Sequence, residues 1–234
     1  MKKLVVCIFC LIFISIIGFA QKQTTYAGFV LKVLTPNSIF RTNQIALVDS
    51  INQTLSVKNK PSYGIGMNIR KNLSKTWAIE GGLFYIKRSL EFNTTETRNN
   101  LNFKNSFDII SYELPIHALM YIPFNDNFYS SAGVGFAFNF LATEDYQNGD
   151  TLAMSLTYAR RRSWIQPSIS MSYGVEYRGG KSGYIYTGFS YQVFFSDFYS
   201  AQTRSPLTLF DPMTSSFSGS YFSFDVKWFF KDQK

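Results

Sequence analysis

The stretch Ile165-Gln166-Pro167-Ser168-Ile169-Ser170-Met171-Ser172-Tyr173-Gly174-Val175-Glu176-Tyr177 alternates without a break. Ile165, Pro167, Ile169, Met171, Tyr173, Val175 and Tyr177 fall on one side, and small or polar residues fall on the other. A period of two over this length is a strand with two unlike faces; a helix would scatter the same residues around its axis. The pattern recurs. Phe222, Phe224, Val226, Trp228 and Phe230 alternate with Ser223, Asp225, Lys227 and Phe229. Tyr63, Ile65, Met67 and Ile69 alternate with Gly64, Gly66, Asn68 and Arg70.

Working outward, eight alternating segments span roughly 24–34, 61–72, 77–89, 107–122, 128–142, 163–178, 183–196 and 218–231. A globular strand averages about five or six residues. A tilted strand needs about 9–11 residues to cross a bilayer. The segments match the second length. Their connections are of two kinds. Leu73-Ser74-Lys75-Thr76, Asn125-Asp126-Asn127 and Gly179-Gly180-Lys181-Ser182 are tight and turn-like, whereas the links near 35–60, 90–106, 143–162 and 197–217 are long and polar. Short and long alternate along the chain. In an all-β, eight-stranded antiparallel up-and-down barrel this gathers the short turns at one end and the long loops at the other. Outer-membrane transmembrane barrels have that asymmetry, with the long loops outside the cell.

The apolar face is expected to look outward, into lipid. The polar face carries mid-strand charge at Lys32, Arg70, Glu80, Glu113, Glu176, Asp225 and Lys227, and glycines such as Gly28, Gly66, Gly135 and Gly188. An eight-stranded barrel is just wide enough to be filled by side chains. Small residues must therefore make room for large ones, and opposite charges must pair inside. Glu80, Glu113, Glu176 and Asp225 are expected to meet Lys32, Arg70 and Lys227, with His117 as a further partner. Aromatics near the strand ends suggest two interfacial girdles: Trp77, Tyr121, Phe128, Tyr177 and Trp228 at the short-turn end, and Tyr63, Trp164, Phe194, Phe195 and Phe222 at the other. Pro115 and Pro167 sit inside strands, and each is expected to cause a bulge or local irregularity.

The first twenty residues read as a cleaved signal peptide. Lys2 and Lys3 precede an apolar run from Leu4 to Ile17, and Gly18-Phe19-Ala20 places small residues at a cleavage site before Gln21. Residues 21–234 then form a single barrel domain. Cys7 and Cys10, the chain's two cysteines, lie in the leader. Of 234 residues, 16% are charged and 18% aromatic. The charged share is well under the usual value of about 25%, which implies a charge-depleted, aromatic-rich surface or an unusually large core. Net charge is +8, and removing Lys2 and Lys3 lowers it by two. The excess is dispersed, without the basic stripe that nucleic-acid binding uses.

The segment Ser111-Tyr112-Glu113-Leu114-Pro115-Ile116, its following turn, and Ser131-Ala132-Gly133-Val134-Gly135 resemble the PorT-like outer membrane β-barrel domain family. The resemblance covers about thirty residues in motif and most of residues 21–234 in layout. It implies an integral outer-membrane protein. In that family one kind of member assists protein secretion.

Three functional classes follow. A structural, interaction or secretion-accessory barrel with a plugged lumen comes first. The alternatives are a narrow channel and a lipid A-modifying outer-membrane enzyme. His117, the only histidine, shares a face with Ser111 and Glu113, residue types that can build an activated nucleophile. Its depth in the lower half of the barrel favours a hydrogen-bonded lumen residue instead. Arg160-Arg161-Arg162 closes the third long link. It could contact lipopolysaccharide phosphates, which guanidinium groups suit, or pair with Glu144, Asp145 or Asp150. One histidine and no cysteine after the leader argue against a transition-metal site, no phosphate-binding or dinucleotide fingerprint is present, and no cofactor is expected. Expected partners are outer-membrane lipid, lipopolysaccharide, and envelope or secretion-system proteins reached through the long loops.

Overall fold

A computed structural model describes residues 24–36, 45–48, 53–96, 101–143, 146–150, 155–179, 183–204 and 213–230. The expected leader, Glu144 and Asp145 lie outside the described residues. Thirteen strands follow in chain order: β1 (Thr25–Pro36), β2 (Ile45–Val48), β3 (Gln53–Asn72), β4 (Trp77–Glu96), β5 (Leu101–Pro123), β6 (Phe128–Leu141), β7 (Tyr146–Asp150), β8 (Ser155–Arg161), β9 (Ile165–Tyr177), β10 (Tyr184–Phe194), β11 (Tyr199–Arg204), β12 (Met213–Phe217) and β13 (Tyr221–Phe229).

Eight of these close into a barrel in the order β1-β13-β10-β9-β6-β5-β4-β3, and β3 returns to β1. The closing ladder is antiparallel and runs from Thr25 opposite Lys71 to Leu34 opposite Ser62. Every adjacent pair of staves is antiparallel, and each of the eight segments read from the sequence corresponds to one stave. Closure leaves no edge among the staves, so the backbone groups satisfy one another, as lipid demands.

The faces are sorted as the alternation requires. Along β13, Tyr221, Ser223, Asp225, Lys227 and Phe229 are buried, while Phe222, Phe224, Val226, Trp228 and Phe230 are exposed. Along β5 the buried positions are odd-numbered and the exposed ones even-numbered from Phe107 to Met120. Large apolar side chains that would sit inside a water-soluble barrel stand on the outer wall; Phe136 is 61% exposed and Phe189 65%. Two residues expected in the girdles face the other way. Tyr121 and Phe194 are buried in the lumen. Both fall on the inward parity of their strands, and parity overrides the general preference of aromatic residues for interfaces.

The long links contain more structure than their polarity suggests. β3 begins at Gln53, β4 runs on to Glu96, and β5 begins at Leu101. The β4–β5 link therefore shrinks to residues 97–100, and the β3–β4–β5 sheet rises far beyond the barrel rim. β2 pairs with the protruding part of β3, from Ile45 opposite Val57 to Val48 opposite Thr54. The other two long links supply the hairpins β7–β8 and β11–β12, which join in a second sheet ordered β12-β11-β8-β7. Polarity misleads here because a ladder satisfies backbone groups as well in water as in lipid. Hydropathy reports the surrounding solvent and not the backbone conformation.

Of the two prolines expected to cause an irregularity, Pro115 does so and Pro167 does not. At Pro115 the β4–β5 pairing skips Gly82 and Leu83 but resumes in the same register. Pro167 pairs in register with Phe138 and lies on the exposed face. The register shift occurs instead in β3 between Lys60 and Tyr63, where Pro61 withholds a ladder donor. At the short-turn end, side chains take over lost backbone bonds. Ser74 Oγ accepts the Thr76 and Trp77 amides at 3.2 and 3.0 Å. Asn125 Oδ1 accepts the Asn127 and Phe128 amides at 2.9 and 2.8 Å. These are the local side-chain turns that Ser and Asn favour.

Candidate functional site

Inward parity brings the polar side chains of all eight staves into one bore. Lys32, Arg70, Glu80, Glu113, His117, Glu176, Asp225 and Lys227 are all buried there. They are not an undifferentiated pool of charge. Glu80 accepts from Arg70 Nε at 2.8 Å, Asn68 Nδ2 at 2.7 Å and Lys227 Nζ at 2.5 Å. Arg70 reaches with its other terminal nitrogen to Glu176, which also pairs with Arg178 at 2.6 Å. Glu113 accepts from Lys32 Nζ at 3.2 Å, Gln192 Nε2 at 2.9 Å and Tyr221 Oη at 2.8 Å. Asp225 accepts from the Ser190 and Ser223 hydroxyls at 2.8 and 2.6 Å. Glu80, Glu113 and Glu176, each with several donors that include a cation, meet the condition under which burying an ion pair is tolerable; Asp225, expected to meet a base, is held by the two hydroxyls and pairs with no cation among the described residues.

These contacts cross the bore. Tyr221 on β13 and Glu113 on β5 sit four staves apart in the ring, as do Arg70 on β3 and Glu176 on β9. In a ring of eight, four places is the opposite wall. The lumen is therefore tied across its diameter at two levels.

Glycine makes the crossing side chains fit. Gly174 and Gly188 are cross-strand partners, and the Tyr186 ring lies over both. A Cβ on Gly174 would stand 2.7 Å from Tyr186 Cε2. Lys227 Nζ in turn sits 4.8 Å from the centre of that ring.

His117 lies between Glu80 on β4 and Gly135 on β6, and its Nε2 is 2.6 Å from Ser170 Oγ. Ser111, by contrast, accepts from Arg88 Nη1 at 2.6 Å, and Glu113 is occupied by its own three donors. The Ser111–Glu113–His117 set thus has no shared hydrogen bond. Three residues spaced along one strand face share an orientation but stand apart along its length.

The ends of the bore differ. At the short-turn end, the Arg178 guanidinium lies 4.1, 4.4 and 5.5 Å from the rings of Tyr129, Tyr121 and Tyr184. Toward the long-loop end Ile86, Leu90, Ile109, Leu141, Phe198 and Tyr199 belong to one buried apolar cluster, with Arg88, Ser218 and Ser220 among its neighbours. Arg88 and Arg178 share the inward parity of Glu80 and Glu176, so parity alone marks them as lumen residues. Gln192, Asn139 and Tyr221 share the inward parity of their strands as well, but nothing in their types says that they gather around Glu113 and Ser168.

The arginine triplet is divided by the pleat of β8 and the bend that follows. Arg160 is exposed. Arg161 turns in and donates to the Leu141 carbonyl at 2.9 Å. Arg162 pairs with Asp197 at 3.0 Å, an acid on a different long link from the one expected.

A closed eight-stave antiparallel barrel, apolar outside and polar within, belongs to the outer-membrane class of β-barrels. It is similar to the crystal structure of the outer membrane protein OprG from Pseudomonas aeruginosa, with a TM-score of 0.58 and 12% sequence identity over 88% of this chain and 95% of that one. At that identity the likeness is one of fold. No family model and no curated protein matches the chain.

Proposed function

We propose that residues 21–234 form an integral outer-membrane protein, exported through a cleaved leader, whose barrel is a closed base and not a pore. Its role is structural, interactive or secretion-accessory, and the protruding sheets carry the contacts with envelope or secretion-system proteins. The observation that carries this reading is the pair of bonds spanning the bore, Arg70 to Glu176 and Tyr221 to Glu113. General porins with aqueous channels use about 16–18 strands, twice the number here. The apolar cluster at the outer end closes the lumen further. The resemblance to PorT-like barrels, one kind of which assists protein secretion, supports the secretion-accessory reading. Ser111 and His117, the nucleophile and base types on one strand face, share no hydrogen bond and have other partners. Arg160 and Arg162, both exposed, are the members of the triplet suited to lipopolysaccharide phosphates.

Cell fractionation, heat-modifiable migration on electrophoresis and planar-bilayer conductance test the proposal together. It expects recovery with the outer membrane, a faster-migrating unheated form, and an electrically silent protein. Soluble periplasmic recovery overturns the location. Large steady openings overturn the closed bore.

A further inference from the structure

The strands that rise beyond the rim leave one row of backbone open. β5 starts at Leu101 but meets β6 only from Ser111, opposite Leu141. The contact ends at Ile110. Its carbonyl accepts the Ala142 amide at 3.0 Å, and its amide donates to Thr143 Oγ1 at 2.8 Å. Ile110 therefore turns both backbone groups toward β6. Alternate residues of a strand turn theirs to the same side, so Asp108, Ser106 and Lys104 do likewise. No strand pairs with them on that side among the described residues. β7, the next strand of the chain, pairs with β8 instead. The other side of the same stretch is engaged throughout, in a ladder to β4 that runs unbroken from Leu101 opposite Glu96 to Ile110 opposite Lys87.

The side chains leave this row accessible. Lys104, Ser106 and Asp108 are exposed on one face, while Phe107 and Ile109 are buried on the other. Asp108 is drawn back toward β4 by Lys87 Nζ at 2.7 Å and Ser89 Oγ at 2.6 Å. Edge strands are commonly blunted by proline, a bulge or short length. From Leu101 to Ile110 there is no proline and no shift of register against β4.

We propose that the β5 edge from Lys104 to Asp108 is a docking site for an extended segment of another polypeptide, which adds to the β5-β4-β3-β2 sheet as a further antiparallel strand. The inference rests on the reading of the protruding sheets as the contact surface, and it names the mode of contact. Main-chain bonds to the open row supply affinity, and alternate side chains supply selectivity. The guest strand carries apolar residues beside Phe107 and Ile109 and polar residues on the outer face, where an acid suits Lys104. A second copy in the same membrane does not fit antiparallel pairing, which would turn one barrel upside down.

The test uses the full mature chain, isotope-labelled and folded in detergent. The probe is a short synthetic peptide that alternates valine with threonine and glutamate. In the free protein the Lys104, Ser106 and Asp108 amides should exchange with solvent faster than the ladder-bound Phe107 and Ile109 amides; equal protection overturns the proposal. Peptide added to saturation should slow the open amides by about tenfold or more, and the fully N-methylated peptide should leave them unchanged. Ser106→Pro removes a donor on the open side alone, so it should fold, keep the β4 ladder and lose the peptide. A Ser106→Pro chain that cannot fold shows that the position already has a partner, and it overturns the proposal. Protection confined to β2 or β7 overturns the assignment to β5 and keeps the protruding sheets as a contact surface; no protection in any protruding strand overturns both. A peptide-free dimer that protects the same amides makes the occupant a second copy and overturns the partner proposed.

Discussion

Arg70 of β3 and Glu176 of β9 pair across the full diameter of the barrel, from staves four places apart in a ring of eight. Arg70 also holds Glu80 on β4 and lies with its guanidinium carbon 3.9 Å from the centre of the Phe229 ring. One side chain thus joins β3, β4, β9 and β13.

Arg70→Ala should destabilise the folded barrel by about 3 kcal/mol, the low end for breaking a buried pair, because Glu80 and Glu176 lose the cation they share but keep Lys227 and Arg178. Urea unfolding in lipid vesicles measures this. The double variant Arg70→Ala with Glu176→Gln should lose less than the sum of the single losses, as expected for groups in one network. Strict additivity would show that the two residues do not act together.

The bed under Tyr186 should tolerate no side chain. Gly174→Val should cost about 1–3 kcal/mol by overpacking, since its Cβ would meet the Gly188 Cα at 2.7 Å as well as the Tyr186 ring. Tyr186→Ala added to Gly174→Val should recover part of that loss. No recovery would place the strain in the β9–β10 backbone and not in the ring.

The outer wall should resist charge in proportion to depth. Phe136→Arg, at a position 61% exposed on the wall, should cost about 2–4 kcal/mol if it lies near the bilayer midplane. Lys58→Glu, an exposed position on the protruding part of β3, should be close to neutral. Equal tolerance at both would argue that the wall of the barrel faces water.

The protruding sheets should face the cell exterior. Single cysteines at Lys58 and Ser216, both exposed, should react with an impermeant thiol reagent on intact cells. Cysteine at Asp126, in a short turn, should stay silent until the outer membrane is broken. The chain supplies no competing thiol once residues 1–20 are removed, because Cys7 and Cys10 lie there. The reverse labelling would invert the orientation.

The sequence by itself determined which staves exist and which face of each looks inward. Period-two alternation is a local property, and the run from Ile165 to Tyr177 carries both facts. Once parity is known, Lys32, Arg70, Glu80, Glu113 and Lys227 are lumen residues, and so are the overlooked Arg88 and Arg178. Tertiary structure alone decided which acid meets which base. Glu176 and Arg70 are 106 residues apart in the chain, and their meeting depends on closure between β1 and β3 and on the stagger of every ladder between them. Neither leaves a local trace. The protruding ladders escaped the sequence because a hairpin in water needs no apolar face to satisfy its backbone. That Arg88 meets Ser111 and three aromatic rings but no carboxylate among the described residues escaped it, because such a shell is assembled from β4, β5, β10, β13 and a link.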